Sequence, residues 1–333
     1  MKYLVTGTAG FIGFHLALKL LSEGHTVVGI DGMTNYYDIN LKHQRNRLLR
    51  EYSAFTWHEC MMEEGARIKE IVAQVNADCV IHLAAQAGVR YSLENPGAYV
   101  QSNIVGTFNL LEACRAHPVV HLLMASTSSV YGANRKVPFA ETDRADHPMS
   151  LYAATKKATE DLAHSYSHLF KIPLTMFRFF TVYGPWGRPD MALFKFVKAG
   201  LANQPIDVYN HGKMQRDFTY IDDLVEAIVE LSTKIPQRSE PVSEADTLSP
   251  VAPMRVVNIG GGNPVQLLAF IEQIELALGR SLKRNYMEMQ AGDVERTDAS
   301  GVLLEALIGE REWTPVSVGV PAFVSWYREH YQQ

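Results

Sequence analysis

A glycine-rich turn near the start of the chain constrains the fold more than any other sequence feature. Gly7, Gly10 and Gly13 follow the first apolar run and open an amphipathic helical segment. Glycine suits a tight turn at the first position, close approach of an anion to the backbone at the second, and close helix–strand packing at the third. The first helical residues, Phe11 and Ile12, would offer free N–H groups to a phosphate. The turn therefore predicts a strand–loop–helix unit with a phosphate site.

The first half of the chain alternates short apolar runs with amphipathic segments. The predicted strands are 3–6, 26–30, 55–58, 79–83, 120–125 and 174–178, and the predicted helices are 11–21, 67–74, 99–116 and 151–170. This order is typical of right-handed βαβ units, and continuously apolar strands are typical of a sheet covered on both faces. We therefore predict an α/β fold, a doubly wound parallel (Rossmann) sheet with a smaller C-terminal α/β region.

The pattern changes after Gly184, where prolines and glycines interrupt the periodicity. Later segments predict helices at 192–202, 221–231, 265–278, 302–308 and 318–331 and a strand at 206–209. We assign 1–184 to a dinucleotide-binding domain, with 217–235 returning to it. Residues 185–216 and 254–333 form a second region that caps the ligand crevice. The Pro-, Ser- and Glu-rich stretch 236–253 is predicted to be a surface loop.

Composition excludes several classes of partner. Among 333 residues, 47% are apolar and 20% are charged, and the formal net charge is −5, without a basic run suited to nucleic acid. No apolar run approaches the ~20 residues that span a bilayer, so membrane insertion is not expected. The three cysteines form no CxxC pair, which favours the cytoplasm, and no metal is expected.

An aspartate at the end of the second predicted strand indicates which dinucleotide would bind. Asp31 lies 18 residues after Gly13. A carboxylate there accepts hydrogen bonds from the adenine ribose and repels a 2′-phosphate, which favours NAD over NADP. The alternative is an aspartate in an ordinary turn. Leu83, Ala84 and Ala85 end the fourth strand, where small side chains would let the cofactor lie against the chain.

A tyrosine and a lysine at i,i+4 spacing form the candidate catalytic group. Tyr152 and Lys156 would share one helix face. A free tyrosine titrates near ~10, and a nearby ammonium would favour the phenolate, so Tyr152 could take a proton from a substrate hydroxyl. On an arbitrary helix, a tyrosine and a lysine at this spacing more often lie on a solvent-exposed face. The hydroxyl run 126–129 could orient the substrate, or it could simply cap the next segment.

Together these features resemble the extended short-chain dehydrogenase/reductases, the NAD-dependent epimerase/dehydratase family. Three stretches, at 82–92, 178–190 and 216–223, are similar to those of UDP-glucuronate 4-epimerases. The second stretch is the most specific, because UDP-glucose epimerases usually carry Asn where this chain has Thr181.

The resemblance implies C4 inversion of a UDP-hexuronic acid: oxidation to a 4-ketone, rotation of the keto sugar, and reduction of its other face. NAD would stay tightly bound and be regenerated, Tyr152 and Lys156 would act with Thr127, and the second region would bind the UDP-sugar. The implied substrate-binding residues are Ser128, Ser129, Thr181 and Arg188 around the carboxylate, Arg216 at the phosphates, and Arg90, Gln290 and Asp293 with less defined contacts. A homodimer through the helices at 99–116 and 151–170 is also implied.

Two departures from the family pattern concern the nucleotides. Met61 stands where relatives usually carry an adenine-contacting Asp, and the segment from Gly292 to Asp298 is about two residues short. Related functions remain open: a UDP-glucose 4-epimerase, a UDP-glucuronate decarboxylase or a dehydratase, although the last normally has a carboxylate pair where this chain has Thr127 and Ser128. A non-catalytic NAD-binding regulatory protein is the alternative of another class.

Overall fold

A computed structural model of the chain describes residues 1–290 and 292–333. The strands are β1 Lys2–Thr6, β2 Thr26–Asp31, β3 Phe55–Glu59, β4 Cys79–His82, β5 His121–Thr127, β6 Leu174–Phe179, β7 Thr181–Tyr183, β8 Ile206–Val208, β9 Gln215–Tyr220, β10 Met254–Ile259, β11 Pro264–Gln266 and β12 Arg284–Tyr286. The helices are α1 Phe11–Ser22, α2 Ile39–Leu49, α3 Gly65–Val75, α4 Tyr91–Glu94, α5 Pro96–Tyr99, α6 Gly106–Ala116, α7 Leu151–Phe170, α8 Ala192–Leu201, α9 Ile221–Ser232, α10 Leu267–Leu278, α11 Val302–Ile308 and α12 Val316–Tyr331.

Seven strands form the main sheet in the order β10-β6-β5-β4-β1-β2-β3. Every neighbouring pair in it is parallel. The strand order reverses beside β1, whose neighbours are β2 and β4. Ligands of such sheets bind at this reversal, outside the carboxyl ends of the strands. The predicted doubly wound sheet is confirmed.

Helices cover both faces of the main sheet. Successive residues of a strand point to opposite faces, so each strand contributes side chains to two separate clusters. Tyr3 and Val5 of β1 join a buried cluster that also contains residues of α1, α9 and α11. Leu4 points the other way, into a cluster built with α3, α6 and α7. Both faces are thus apolar, as the uninterrupted apolar strands predicted. A third cluster, around Phe270 and Phe323, joins α8, α10 and α12 in the C-terminal half.

The C-terminal half contributes more to the main sheet than the sequence indicated. The sequence analysis placed 254–333 in the capping region, but β10 pairs with β6 at the sheet edge. Residues Leu303 and Leu304 of α11 belong to the same buried cluster as α1 and α9. Strand β10 is buried along its length apart from one half-buried residue, and pairing with β6 satisfies its backbone. Two small sheets, β11-β9-β7 and β12-β8, lie outside the main sheet.

Helix α2 was not predicted, and its composition explains why. Its buried residues are Leu41, Lys42, Arg45, Asn46 and Leu49. Three of these five are polar or charged, so the helix carries no apolar stripe that a periodicity argument could detect. Its N-cap is Asp38, whose side chain accepts a hydrogen bond from Asn40 N at 2.9 Å.

The predicted loop 236–253 is irregular, but its second half is anchored. Asp246 and Arg255 form a buried ion pair of 3.1 Å. Thr247 Oγ1 donates to Val256 O at 2.6 Å, and Ser249 Oγ contacts His164 Nε2 at 2.8 Å. These contacts hold the segment against β10 and α7. Within the described residues, no helix combines the length and apolar character required to cross a membrane.

Candidate active site

A cleft of about 260 Å³ opens at the carboxyl ends of β1 and β4, where the strand order reverses. Thirteen of the candidate residues line it: Gly7, Gly10, Phe11, Ile12, Gly13, Asp31, Leu83, Ala84, Ala85, Thr127, Tyr152, Lys156 and Arg188. The fold thus brings the candidate cofactor residues and the candidate catalytic group together in one cleft, although they are spread over more than half of the sequence.

The glycine turn leaves no room for side chains. Gly7 has φ +80°, and a Cβ there would lie 2.9 Å from Ala84 N. A Cβ on Gly13 would lie 2.0 Å from Gly7 O, which explains why α1 can approach β1 so closely. Helix α1 has no side-chain cap among the described residues and no acidic residue in its first turn. Its first N–H groups are therefore free to bind an anion.

Asp31 is held by the backbone of both flanking loops. Its Oδ2 accepts from Ala9 N at 3.0 Å and its Oδ1 from Met33 N at 2.9 Å. A carboxylate has about four acceptor positions, so two remain for a ribose diol in the cleft. Lys42 lines the cleft nearby, and its Nζ donates to Thr34 O at 2.6 Å. Burial lowers the pKa of Lys42, and the charge of Asp31 acts in the opposite sense.

Methionine side chains form the wall of the cleft beyond Asp31. Met61, which the family resemblance places where an adenine-contacting Asp is expected, lines the cleft together with Met62 and Gly32. A Cβ on Gly32 would lie 2.2 Å from Met61 Sδ, so the thioether packs directly over that glycine. This wall offers an adenine ring a polarizable apolar surface in place of a carboxylate.

Tyr152 and Lys156 lie one turn apart on α7 and line the same cleft as the glycine turn, with Thr127 at the end of β5. Burial raises the pKa of Tyr152, while the Thr127 hydroxyl and the charge of Arg188 act to lower it. The i,i+4 spacing predicts that the Lys156 ammonium lowers that pKa; in the structure the groups that act to lower it are Thr127 and Arg188 instead. Lys156 is itself 3% exposed, and burial lowers its pKa to about 8.

A buried ion pair anchors α7, the helix that carries Tyr152 and Lys156. Glu160, one turn after Lys156, accepts from Arg178 Nε at 2.9 Å and Nη2 at 2.8 Å. Ser126 Oγ donates to the same carboxylate at 2.6 Å. Burial acts to raise the pKa of Glu160, but Arg178 and Ser126 outweigh it, so the carboxyl stays ionised. The pair ties α7 to the ends of β5 and β6 and so fixes Thr127 relative to Tyr152.

A fully buried arginine connects the cofactor loop with the loop that carries Arg188. Arg45 donates to Ala9 O at 2.8 Å in the glycine turn and to Trp186 O at 2.5 Å. His15 adds a contact of 2.9 Å to Pro185 O. The position of the 184–190 loop is therefore set by α1 and α2, which belong to the cofactor half.

Some of the candidate substrate residues line the cleft or a pocket beside it, and the others lie outside both. Thr181 and Arg188 line a smaller pocket that adjoins the main cleft, and Arg188 lines both. Arg90 Nη2 lies 3.7 Å from Asp293 Oδ2, and its guanidinium lies 4.6 Å from the ring centroid of Tyr209. Neither Arg90 nor Asp293 lines the cleft or the smaller pocket. The same is true of Ser128, Ser129, Arg216 and Gln290.

Thr127 also has the structural role that the sequence left open. Its Oγ1 accepts from Ser129 N at 3.2 Å and caps the short 3₁₀ turn Ser128–Tyr131.

Arg216, the residue expected at the substrate phosphates, contacts the chain near Asp293. Its Nη1 donates to Glu295 O at 3.1 Å. Burial lowers the pKa of Arg216, and the charge of Asp293 acts in the opposite sense. Arg216 therefore lies within reach of the Asp293 charge and outside the main cleft.

Sequence reasoning missed the residues that position the site. Lys42 and Arg45 lie on the unpredicted helix α2. Glu160 follows Lys156 by four residues, and this i,i+4 spacing on α7 was the one available signal for it. Tyr36 and Asp190 carried no signal, because their contact joins two loops that are far apart in sequence.

Comparisons with known proteins show which family and which solved structures this chain resembles. The NAD dependent epimerase/dehydratase family model matches residues 3–242. A probable UDP-glucuronate 4-epimerase of Rhizobium meliloti (strain 1021) is 57% identical over 336 residues, covering 100% of this chain and 98% of that protein. The crystal structure of UDP-glucuronic acid 4-epimerase from Bacillus cereus, in complex with UDP-glucuronic acid and NAD, aligns with a TM-score of 0.88 at 32% identity, covering 99% of this chain and 100% of that one.

A UDP-glucose 4-epimerase of Thermotoga maritima, solved with UDP-glucose, aligns with a TM-score of 0.86 at 26% identity over 99% of this chain and 100% of that one. The two solved structures are nearly equal in fold similarity, so fold alone does not separate their substrates. With the family model covering residues 3–242, the chain belongs to the NAD dependent epimerase/dehydratase family.

Proposed function

We propose that this protein is an NAD-dependent epimerase that inverts C4 of a UDP-hexuronic acid, interconverting UDP-glucuronate and UDP-galacturonate. The observation that carries the proposal is the meeting of Tyr152, Lys156 and Thr127 with the glycine turn and Asp31 in one cleft. The 57% identity to a probable UDP-glucuronate 4-epimerase supports the choice of sugar.

The cleft fits a dinucleotide on its own geometry. The side-chain-free turn at Gly7 and Gly13 suits a diphosphate against the start of α1, and the free acceptor positions of Asp31 suit a ribose diol. Leu83, Ala84 and Ala85 would border the bound cofactor. Bound there, NAD supplies a hydride acceptor for C4 of the sugar and the donor that returns the hydride.

Tyr152 is the proposed base that takes the proton from the sugar O4 and later gives it back. A side-chain hydrogen bond with Thr127 acts to lower the pKa of Tyr152, and the Thr127 hydroxyl can share the O4 proton. Lys156, with its pKa near 8, can carry or release a proton near neutrality and hold the ribose. Oxidation removes the C4 stereocentre, so the keto sugar must turn before its second face is reduced.

The remaining substrate contacts are proposals of the same kind. Thr127, Ser128, Ser129, Thr181 and Arg188 would hold the hexuronate carboxylate, and Arg188 would do so with a charge-assisted fork. The other proposed substrate contacts are Arg216 and Arg90 for the diphosphate and Gln290 and Asp293 for the phosphate or ribose. In this arrangement 1–184 and 217–235 bind the cofactor, while 185–216 and much of 254–333 bind the UDP-sugar.

The proposed location is the cytoplasm and the proposed assembly is a homodimer. All three cysteines are free thiols, which suits a reducing compartment. Phe108 of α6 and Leu169 and Phe170 of α7 are exposed, and a second copy would cover them in a helical interface. Light scattering on the purified protein tests this, and a monomer at micromolar concentration would contradict the dimer.

Incubation with UDP-glucuronate and, separately, UDP-glucose tests the function, with products identified by NMR. We expect UDP-galacturonate from the first and much slower conversion of the second. The matched control is Tyr152→Phe, which should keep NAD and lose turnover by about 10²-fold or more. Faster conversion of UDP-glucose would indicate the neutral-sugar epimerase, release of CO₂ with a UDP-pentose would indicate a decarboxylase, and bound NAD without product would indicate a non-catalytic protein.

A further inference from the structure

The guanidinium of Arg188 is already occupied by a carboxylate of the same loop. Arg188 Nε donates to Asp190 Oδ1 at 3.0 Å, and its Nη2 donates to Asp190 Oδ2 at 2.6 Å. The two side chains are 22% and 25% exposed, so the pair is largely shielded from water. A guanidinium has five N–H donors, and this bidentate contact uses two of them. The others remain for a ligand in the main cleft and the adjoining pocket, both of which Arg188 lines.

Asp190 is in turn held by a residue of a distant loop. Tyr36, in the loop after β2, donates its hydroxyl to Asp190 Oδ2 at 3.0 Å. Burial, with the nearby charge of Asp190, raises the pKa of Tyr36 to about 12, so the phenol remains a donor. Gly88 leaves the room for this contact, because a Cβ there would lie 2.7 Å from the Tyr36 oxygen. The Asp190 carboxylate therefore has a fixed position and three donors.

The Arg188–Asp190 pair carries no net charge, and this matters for an epimerase acting on an acid. An unpaired, shielded guanidinium would attract a hexuronate carboxylate strongly. The keto sugar must nevertheless turn between the two hydride transfers, and a carboxylate held that tightly would resist the turn. A guanidinium that is already paired offers directed N–H donors with much weaker net attraction.

We propose that Asp190 is a positioning residue that fixes and neutralises Arg188, so that the carboxylate of a hexuronate is recognised without being trapped. This rests on the proposed function. Tyr36 holds Asp190 in place and so links the cofactor loop to the recognition of the sugar acid. Removing the charge of Asp190 should tighten the ground-state binding of the acidic substrate and slow its turnover.

The test compares the affinities of two substrates that differ in charge at C5. UDP-glucuronate and UDP-glucose are titrated calorimetrically into the NAD-bound Tyr152→Phe protein, with and without Asp190→Asn. We expect Asp190→Asn to raise the preference for UDP-glucuronate over UDP-glucose by about 5-fold or more. In the otherwise unchanged enzyme, kcat for UDP-glucuronate should fall together with KM. Asp190→Glu, which keeps the charge, should restore the parental preference.

A merely structural role of Asp190 would weaken the binding of both substrates alike and raise KM. An unchanged or lower preference for UDP-glucuronate in folded Asp190→Asn protein would overturn the proposal. If that variant does not fold, Arg188→Gln is compared with Arg188→Gln/Asp190→Asn. Loss of the unpaired Asp190 charge should again raise the preference, and failure to do so would also overturn it. Binding is measured without turnover, so a parental protein that lacks epimerase activity would refute the proposed function separately.

Discussion

The buried ammonium of Lys156 should cost the fold stability that a methionine would restore. Burial lowers the pKa of Lys156 from its ordinary value of 10.5 to about 8. This difference corresponds to about 3 kcal/mol by which the folded state disfavours the charged form. Below pH 8 the lysine is protonated in both folded and unfolded chains, so the whole cost is present. Between pH 8 and 10.5 the folded chain releases its proton first, and the cost disappears as the pH rises.

Lys156→Met removes the charge and shortens the side chain by one atom. At pH 7 we expect the free energy of unfolding to rise by about 3 kcal/mol, which is roughly 4 °C in Tm for a chain of this length. At pH 9.5 the gain should fall to about 1.5 kcal/mol. Turnover should be lost. Thermal unfolding from pH 6.5 to 9.5, on protein freed of nucleotide so that ligand binding does not contribute, measures the effect.

The matched control is Lys198→Met, at an exposed position on α8. Its effect should stay within about 0.5 kcal/mol. A Lys156→Met protein that is no more stable than the parent at pH 7, or whose gain is the same at pH 9.5, would refute the idea that the ammonium is held in an unfavourable site.

Three further predictions address the catalytic groups and the cofactor loop. Thr127→Val removes a hydrogen bond that acts to lower the pKa of Tyr152, so the acidic limb of the kcat–pH profile should move to higher pH; an unmoved limb would exclude that role. Arg188→Ala should lower epimerisation of UDP-glucuronate about 10- to 100-fold, the value of a charge-assisted hydrogen bond, with UDP binding by calorimetry nearly unchanged; comparable epimerase rates would remove Arg188 from the mechanism. Gly13→Ala places a Cβ 2.0 Å from Gly7 O and should abolish retention of NAD, measured by absorbance of the purified protein, whereas Gly301→Ala, with 3.4 Å of space, should keep it.

The arrangement of the site gives α2 a role that its composition conceals. Arg45 reaches both the glycine turn and the 184–190 loop, so the position of Arg188 depends on the cofactor half of the fold. The Tyr36–Asp190 hydrogen bond makes a second link between the same two parts of the cleft. The proposed cofactor site and the proposed site for the sugar acid therefore depend on the same contacts.

The sequence by itself determined the parts of the protein that depend on local pattern. Short apolar strands alternating with amphipathic helices predicted the parallel sheet, and the glycine spacing predicted the loop at Gly7 and Gly13. The i,i+4 pair Tyr152 and Lys156 could be placed on one helix face because helical geometry fixes the relation between residues one turn apart. These inferences need only the period of each element and the conformational freedom of glycine.

Only the tertiary structure decided what depends on contacts between distant segments. Strand β10 joins the main sheet because a buried strand must find a partner for its backbone, and the sequence does not state which edge is free. The pKa of Tyr152 depends on burial, Thr127 and Arg188, three features from different parts of the chain. The pairing of Arg188 with Asp190, and of Asp190 with Tyr36, likewise appears only after folding, because electrostatic interactions depend on distance in space and not on separation along the chain.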